Sequence, residues 1–195
     1  MWALVEDNAI TKIINNPKAM VIGDVRHSRN IFSFRWTNEE REAIGLYEIV
    51  IDNSNKRDEA YYNNTNQSFN FADGVATASF GSATAREIED RNATNEAGEE
   101  LDPVVVIEGL KTKHKRIIKN QASGLLTPTD WYVIKATEVE SYSVPSAITT
   151  FRANVRTKSN DMEVLIDACS TVDELAALYV YTDGTRPLGE FPEAV

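Results

Sequence analysis

Histidine and cysteine are the side chains best suited to metal binding or nucleophilic chemistry, and the sequence holds only three of them: His27, His114 and Cys169. A metal site needs three or four converging ligands, and the spacing of these residues does not suggest one. His27 lies between Arg26 and Arg29 in a predicted turn, where a solvated or locally bonded role is favoured over that of a general base. His114 lies on the apolar face of a predicted helix, where packing or hydrogen bonding is favoured over metal coordination. We therefore expect no metal and no cofactor.

Motifs for phosphate binding or covalent catalysis are also absent from the sequence. It contains no glycine-rich phosphate loop, H-E-x-x-H, paired C-x-x-C, G-x-S-x-G or calcium-loop pattern. Carboxylates are so numerous, with 30 Asp and Glu residues, that an isolated pair does not identify an acid/base couple. The sequence predicts a non-enzymatic protein with no catalytic residue, and a small enzyme with an unrecognised site is the second alternative.

The formal net charge of −10 disfavours general binding to nucleic acids or anionic membranes, because both need a basic surface. One basic run, Lys111 to Lys119, admits three interpretations. It is an RNA or phosphate surface, the solvated face of an amphipathic helix, or a partner for the acidic stretch 87–102 within or between subunits. The overall charge favours the solvated face, and surface ion pairs contribute only about 0–1 kcal/mol each.

The composition also bears on location. A single cysteine excludes an internal disulfide, which fits synthesis in a reducing compartment. No charged segment precedes an apolar one at the start, and no run of about 18 apolar residues occurs. We therefore expect neither export by a secretory signal nor a membrane span.

Residues 1–81 are predicted to form a small antiparallel β domain with one short helix. Turn signals at Asp7-Asn8, Gly23-Asp24 and Asp73-Gly74 separate β-prone segments. Thr37 to Gly45 has the pattern of a capped helix, with acids in its first turn and glycine at its end.

The segment 82–102 is predicted to be an acidic helix that continues into a linker. It holds seven acids against two arginines, and the helical part is expected from Ser82 or Thr84 to about Asn92.

Residues 103–182 are predicted to form an antiparallel helical domain, followed by an extended tail over 183–195. Asp102-Pro103 has the pattern of a helix start, and so do Thr127, Pro128 and Asp130. Ser170 and Asp173 are expected to form a further capping box. The clearest amphipathic stripe consists of Ile148, Phe151, Val155, Met162, Leu165 and Cys169. The predicted fold class is therefore α+β.

Five residues are candidates for an interaction or structural motif. Trp131 and Tyr132 form either part of the core or an exposed anchor, since Trp, Tyr and Arg dominate interface energies. Arg152 and Arg156 lie one helical turn apart and can pair with Asp130 or Glu138 across a helical hairpin, which would hold the Asp-Trp turn in place.

These same residues carry a resemblance to a known class of proteins. The pattern L-x-x-T-D-W-Y ends at Tyr132, and F-R-x-x-V-R spans Phe151 to Arg156, with Val144-Pro145 between them. Together they resemble the C-terminal module of small bacteriophage tail proteins, described as tail-fibre assembly or virion-associated proteins. Phe151 stands where such proteins usually carry tyrosine. The N-terminal segments Met1-Trp2-Ala3-Leu4, Ile44-Gly45-Leu46-Tyr47 and Asp58 to Tyr62 are similar to proteins of marine phages.

The resemblance implies a structural role in a phage particle. We expect a virion protein of the tail, baseplate or fibre-attachment region that is made in the bacterial cytoplasm. It would act by contact with other tail or fibre proteins and as a homo-oligomer, without nucleic acid or membrane. The alternative within phage biology is a transient assembly chaperone for a tail fibre.

Overall fold

The computed structural model describes residues 1–194, so Val195, the last residue of the predicted tail, lies outside the described residues. The fold is α+β, as predicted, with an N-terminal sheet followed by C-terminal helices. The chain divides into two compact units, Met1–Thr84 and a second that begins at Ala85.

The first unit is built from short strands and one short helix. Its elements are β1 (Trp2–Glu6), β2 (Ala9–Ile14), β3 (Met20–Ile22), β4 (Val25–His27), a 3-10 turn (Arg29–Phe32), α1 (Asn38–Glu42), β5 (Leu46–Asp52), β6 (Tyr62–Asn63), β7 (Gln67–Ala72) and β8 (Val75–Phe80), with β9 (Thr84–Ala85) at the boundary.

Five strands form one mixed sheet in the order β2-β1-β5-β8-β7. Hairpin pairing of β1 with β2, of β3 with β4 and of β7 with β8 confirms the three predicted turns. The residues Asp7, Asn8 and Asp73 adopt positive φ there, as two-residue hairpin turns require. The pairing of β5 with β8 is parallel, which departs from the predicted all-antiparallel sheet. The parallel pair is possible because a long connection containing β6 and β7 joins these two strands.

Strand β1 lies inside the sheet and is buried on both faces. Ala3 and Val5 pack with Ile49 and the alanines of β8 on one side. Leu46, Ile14 and Ile31 form a second cluster. The core of this unit therefore has two small layers, one on each side of the central strands.

Helix α1 begins and ends as predicted from its cap residues. The Thr37 hydroxyl accepts a hydrogen bond from the Glu40 amide at 3.2 Å, and the Glu40 carboxylate accepts one from the Thr37 amide at 2.8 Å. Gly45 follows the helix with a φ of +77°. A Cβ on Gly45 would lie 2.5 Å from the carbonyl oxygen of Val5, so the close approach to β1 requires glycine.

The second unit is mainly helical. Its elements are β10 (Arg91–Asn92), β11 (Val106–Ile107), α2 (Leu110–Leu126), a 3-10 turn (Thr127–Thr129), α3 (Asp130–Glu138), α4 (Ser146–Ala168) and α5 (Val172–Ala177).

The prediction of an acidic helix within 82–102 is wrong, since this segment holds only short strands and loops. Its polar groups accept hydrogen bonds from backbone amides at the start of α2, instead of from amides of a helix of its own. The Asp90 carboxylate accepts hydrogen bonds from the Gly109 amide at 2.7 Å and the Thr112 hydroxyl at 2.9 Å. The carbonyls of Glu87 and Ile88 accept from the next two amides of α2. Helix α2 has no capping side chain at its own N-terminus, and residues 87–90 of the acidic segment cap it instead.

Two predicted helix starts are also wrong. Helix α2 begins at Leu110 and not at Asp102-Pro103, because Val106 and Ile107 pair with β10 as strand β11. At the second site, Thr127 lies in the 3-10 turn and donates its hydroxyl to the Ser123 carbonyl, so it does not cap α3.

The stripe predicted on α4 forms most of the helical core. Phe151, Val155 and Met162 are buried there, whereas Leu165 lies at the edge and Ile166 takes its place. The capping box of α5 uses Thr171 and Glu174, one residue after the predicted Ser170 and Asp173.

Between the end of α5 and residue 194 the structure has no helix, but this segment is not simply extended. A turn joins Thr182 and Thr185. Leu188 is fully buried, and its amide donates to the Leu178 carbonyl at 3.0 Å. The buried Leu188 side chain and this backbone hydrogen bond therefore hold the tail against the second unit.

Candidate interaction site

Helix α3 buries none of its residues, although a third of them are large and apolar. Trp131 is 49% exposed and Ile134 is 55% exposed. These two residues and Lys135 follow one another at helical spacing and share a face. An apolar helix face that stays about half exposed in its own unit is a candidate for contact with another molecule.

Aromatic stacking fixes the shape of this face. The rings of Trp131 and Tyr132 lie 3.9 Å apart between centroids, and the Tyr142 ring lies 6.5 Å from Trp131. The Lys135 ammonium lies 4.3 Å from the Tyr142 ring centroid and 5.6 Å from that of Trp131. Exposed cation–π contacts contribute roughly 0.5–1 kcal/mol each. We call Trp131, Tyr132, Ile134, Lys135 and Tyr142 the Trp131 surface.

Arg152 on α4 holds the start of α3 in place. Its guanidinium pairs with Asp130 at 2.7 Å, and it donates to the Thr129 hydroxyl at 2.6 Å and the Leu126 carbonyl at 2.9 Å. The side chain is 8% exposed, so these bonds form largely out of water. Arg152 and Asp130 therefore form the ion pair that the sequence predicts. Trp131 lies on the outside, as the exposed-anchor alternative has it, and not in the core, which the sequence favours.

Arg156 has a different environment. It pairs with neither Asp130 nor Glu138, and its one hydrogen bond is a long one of 3.3 Å to the Arg152 carbonyl. Within residues 1–194, no carboxylate lies within ion-pair distance of its guanidinium. The predicted pairing is therefore correct for Arg152 and wrong for Arg156.

Four cations of the basic run on α2 pair with carboxylates of their own unit. Lys111 pairs with Glu89 and Arg116 with Glu108. Lys115 and Lys119 pair with Asp167 and Glu163 on α4. Pairing with the acidic stretch 87–102 is limited to Lys111 and Glu89, since the other three carboxylate partners lie outside that stretch. Arg116 and Lys119 stay largely exposed, which agrees with the solvated face that the sequence favours.

His114 and Cys169 have separate structural environments. The His114 Nδ1 lies 2.7 Å from the Tyr179 hydroxyl, and burial lowers the pKa of this imidazole below 6.5. The Cys169 thiol donates to the Leu165 carbonyl at 3.4 Å, and burial raises its pKa above the ordinary value, which disfavours the thiolate. In the described part of the chain, no three His, Cys, Asp or Glu side chains gather as metal ligands would.

The first histidine, His27, lies in β4 and not in the turn where the sequence places it. Its ring meets the Trp36 ring edge-on, with centroids 6.0 Å apart. The contact is a packing one, consistent with the local role that the sequence favours.

Sequence reasoning missed a second exposed apolar segment. Val104, Val105, Val106 and Ile107 are each 39–58% exposed, and they form β11 and its approach. Four consecutive β-branched residues are a strand signal, whereas Asp102-Pro103 before them predicts a helix start. Across residues 1–194, no helix combines the length and apolar character that crossing a bilayer requires.

Comparisons with protein-family models, curated proteins and solved structures returned no match in any of the three.

Proposed function

We propose that this protein is a non-enzymatic bacteriophage virion protein of the tail, baseplate or fibre-attachment region. It works by protein–protein contact and assembles as a homo-oligomer with other tail or fibre proteins. The sequence motif supplies the phage context, and the Trp131 surface supplies the contact.

The observation that carries the proposal is the exposure of the Trp131 surface, together with the contacts that position it. Arg152 fixes the turn from which Trp131 projects, and two further rings stack beside it. Aromatic residues held in one geometry lose little conformational entropy on binding, which is why they dominate interface energies.

The exposed segment Val104–Ile107 supports the same proposal. A strand with apolar side chains on both faces is prone to pair with another chain. Together with the Trp131 surface it gives the second unit two apolar patches, as subunits of an assembly need for neighbours on more than one side.

The charge of the chain supports protein partners over nucleic acid. The formal net charge is −10, and the basic run on α2 is paired internally. A phosphate backbone would have to displace these carboxylates to bind there.

The test compares particle incorporation of two aromatic variants. Particles are purified from a host that produces this chain, and its amount per particle is measured by quantitative mass spectrometry. Trp131→Ala should reduce incorporation by about 30-fold, since an interface anchor contributes about 2 kcal/mol or more. Phe34→Ala is the matched control, because Phe34 is 95% exposed in the other unit and should leave incorporation unchanged.

Equal incorporation of Trp131→Ala and the wild type would refute the proposed contact. Absence of the wild-type chain from finished particles, together with its presence in fibre-assembly intermediates, would assign the alternative role of assembly chaperone.

A further inference from the structure

An open groove of about 480 Å³ lies between α2 and α4, beside the start of α3. Its polar lining consists mainly of Lys119, Asp130, Arg152, Arg156, Ser159 and Glu163. Ligand sites in proteins commonly have volumes of roughly 300–1,000 Å³, so the groove can hold a side chain with part of its backbone.

The charges that line the groove do not balance. Asp130 neutralises Arg152 at 2.7 Å, and Glu163 neutralises Lys119 at 3.1 Å. Arg156 remains, with one hydrogen bond to a backbone carbonyl and no carboxylate partner among residues 1–194. The groove thus carries one excess positive charge in a chain whose formal net charge is −10.

Ser159 supplies a hydrogen-bond donor in the same groove as Arg156. The residue is 7% exposed and lines the groove. Its hydroxyl makes no hydrogen bond to any other described residue. Among the described residues, no side-chain oxygen that is buried from solvent lacks a hydrogen-bond partner, so this hydroxyl is open to the groove and can donate to a ligand atom there.

We propose that this groove binds a carboxylate carried by a partner polypeptide, with Arg156 as its ion-pair partner and Ser159 as a hydrogen-bond donor. The inference rests on the proposed function, because it names the chemistry of the partner segment that docks beside the Trp131 surface. The planar guanidinium matches the two oxygens of a carboxylate and binds them in pairs.

The lining favours a carboxylate over a phosphate. A monoanion neutralises the single excess charge. A phosphate carries close to two negative charges and would be left with one uncompensated charge near Asp130 and Glu163.

The test uses small probes on the full-length chain. Side-chain NMR signals of Arg156 are followed while N-acetylglutamate N-methylamide is added, with N-acetylglutamine N-methylamide as the neutral match and inorganic phosphate as a third arm. The glutamate probe should cause a saturable shift with a dissociation constant on the order of millimolar. The glutamine probe should cause none, and phosphate should bind more weakly.

Variants assign the contacts. Arg156→Gln should weaken the glutamate probe by about tenfold or more, followed through the backbone amide of Ser159. Arg156→Lys should recover part of the lost affinity for the glutamate probe, because lysine keeps the positive charge but cannot donate two parallel hydrogen bonds to a carboxylate. Ser159→Ala should weaken binding by about 2- to 10-fold. Lys113→Gln removes an exposed charge of α2 outside the groove and should have no effect.

The inference is overturned if the glutamate probe causes no saturable shift, if the glutamine probe binds equally well, or if phosphate binds more tightly. It is also overturned if Arg156→Gln behaves like Lys113→Gln. If Trp131→Ala loses incorporation into particles and any of these results is also found, the groove assignment is refuted and the proposed function remains supported. If Trp131→Ala is incorporated normally, the proposed function is refuted even when the glutamate probe binds to the groove.

Discussion

Replacement of Arg152 by methionine tests how the Trp131 surface is held. The substitution keeps an apolar stem of similar length and removes the guanidinium. Three contacts are lost, to Asp130, to the Thr129 hydroxyl and to the Leu126 carbonyl. We expect the helical unit to lose stability while it keeps its fold.

The magnitude follows from what each partner does afterwards. A hydrogen bond from a charged donor contributes about 1.5–3 kcal/mol when buried. The Leu126 carbonyl keeps the Thr129 hydroxyl as a donor at 2.7 Å, and Asp130 is half-exposed and becomes hydrated, so the losses do not add in full. The expected decrease in the free energy of unfolding is about 2–3 kcal/mol. That is less than the roughly 3–5 kcal/mol expected when a fully buried ion pair is broken.

The assay is urea unfolding followed by helical circular dichroism, which reports mainly the second unit. Arg156→Met is the matched control on the same helix, one turn away, and should change the free energy of unfolding by about 0.5 kcal/mol or less. Combining Arg152→Met with Asp130→Asn measures the pairwise term, expected at about 0.5–1 kcal/mol because Asp130 is half-exposed.

If the guanidinium holds the turn before α3, Arg152→Met must lower the free energy of unfolding by at least about 1 kcal/mol and by more than Arg156→Met does. Failure on either count would show that it does not hold the turn.

Three further substitutions test the rest of the second unit. Gly109→Ala should lower the free energy of unfolding by about 1–3 kcal/mol, because its Cβ would lie 2.4 Å from backbone atoms of the acidic segment. Gly124→Ala, on the open side of α2, should raise the free energy of unfolding by about 0.5–1 kcal/mol. Equal effects of the two substitutions in urea unfolding would contradict the capping contact. Met162→Ala should lower the free energy of unfolding by about 2–5 kcal/mol, since this side chain is fully buried. Val164→Ala, at a residue that is 67% exposed, should change the free energy of unfolding little. Calorimetry measures both effects, and a small effect of Met162→Ala would mean that α4 packs by another face. Burial lowers the pKa of His114, so the unfolded chain binds the proton first as the pH falls through 6.5, and the free energy of unfolding should decrease below that pH. His114→Gln should remove this dependence. If the free energy of unfolding of His114→Gln changes with pH between 5 and 6.5 as steeply as that of the wild type, the prediction is contradicted.

Local signals in the sequence predicted much of the first unit. Hairpin turns at Asp7-Asn8, Gly23-Asp24 and Asp73-Gly74 each depend on a two-residue pattern, and each is present. The predicted N-cap of α1 likewise depends only on Thr37 and the acids that follow it, and it is present. The parallel pairing of β5 with β8 was missed, because no local pattern records which distant strands become neighbours.

The acidic segment was mispredicted for a similar reason. Its charges and alanines are compatible with a helix, but its carbonyls and the Asp90 carboxylate are used to cap α2. That contact joins residues 19 positions apart, and it stabilises a loop that local propensity alone would make helical.

Part of the candidate site was visible in the sequence. The spacing of Arg152 and Arg156 and the nearby Asp130 suggested an ion pair, and Arg152 makes it. Which of the two arginines pairs, and whether Trp131 lies inside or outside, depends on how α3 packs against its neighbours. Helical periodicity in a nine-residue helix does not specify this.

The most direct test of the central claim is to identify what the Trp131 surface touches. The photocrosslinking amino acid p-benzoylphenylalanine is placed at position 134, which lies on this surface, or at position 164 on α4 as a control of similar exposure. Both chains are irradiated in bacteria that assemble the particle, and the products are identified by mass spectrometry. We predict one dominant adduct at position 134, to a tail or fibre protein or to a second copy of this chain, and none at position 164. Absence of any protein adduct at position 134, or the same adducts at both positions, would contradict the claim that the protein acts through this surface.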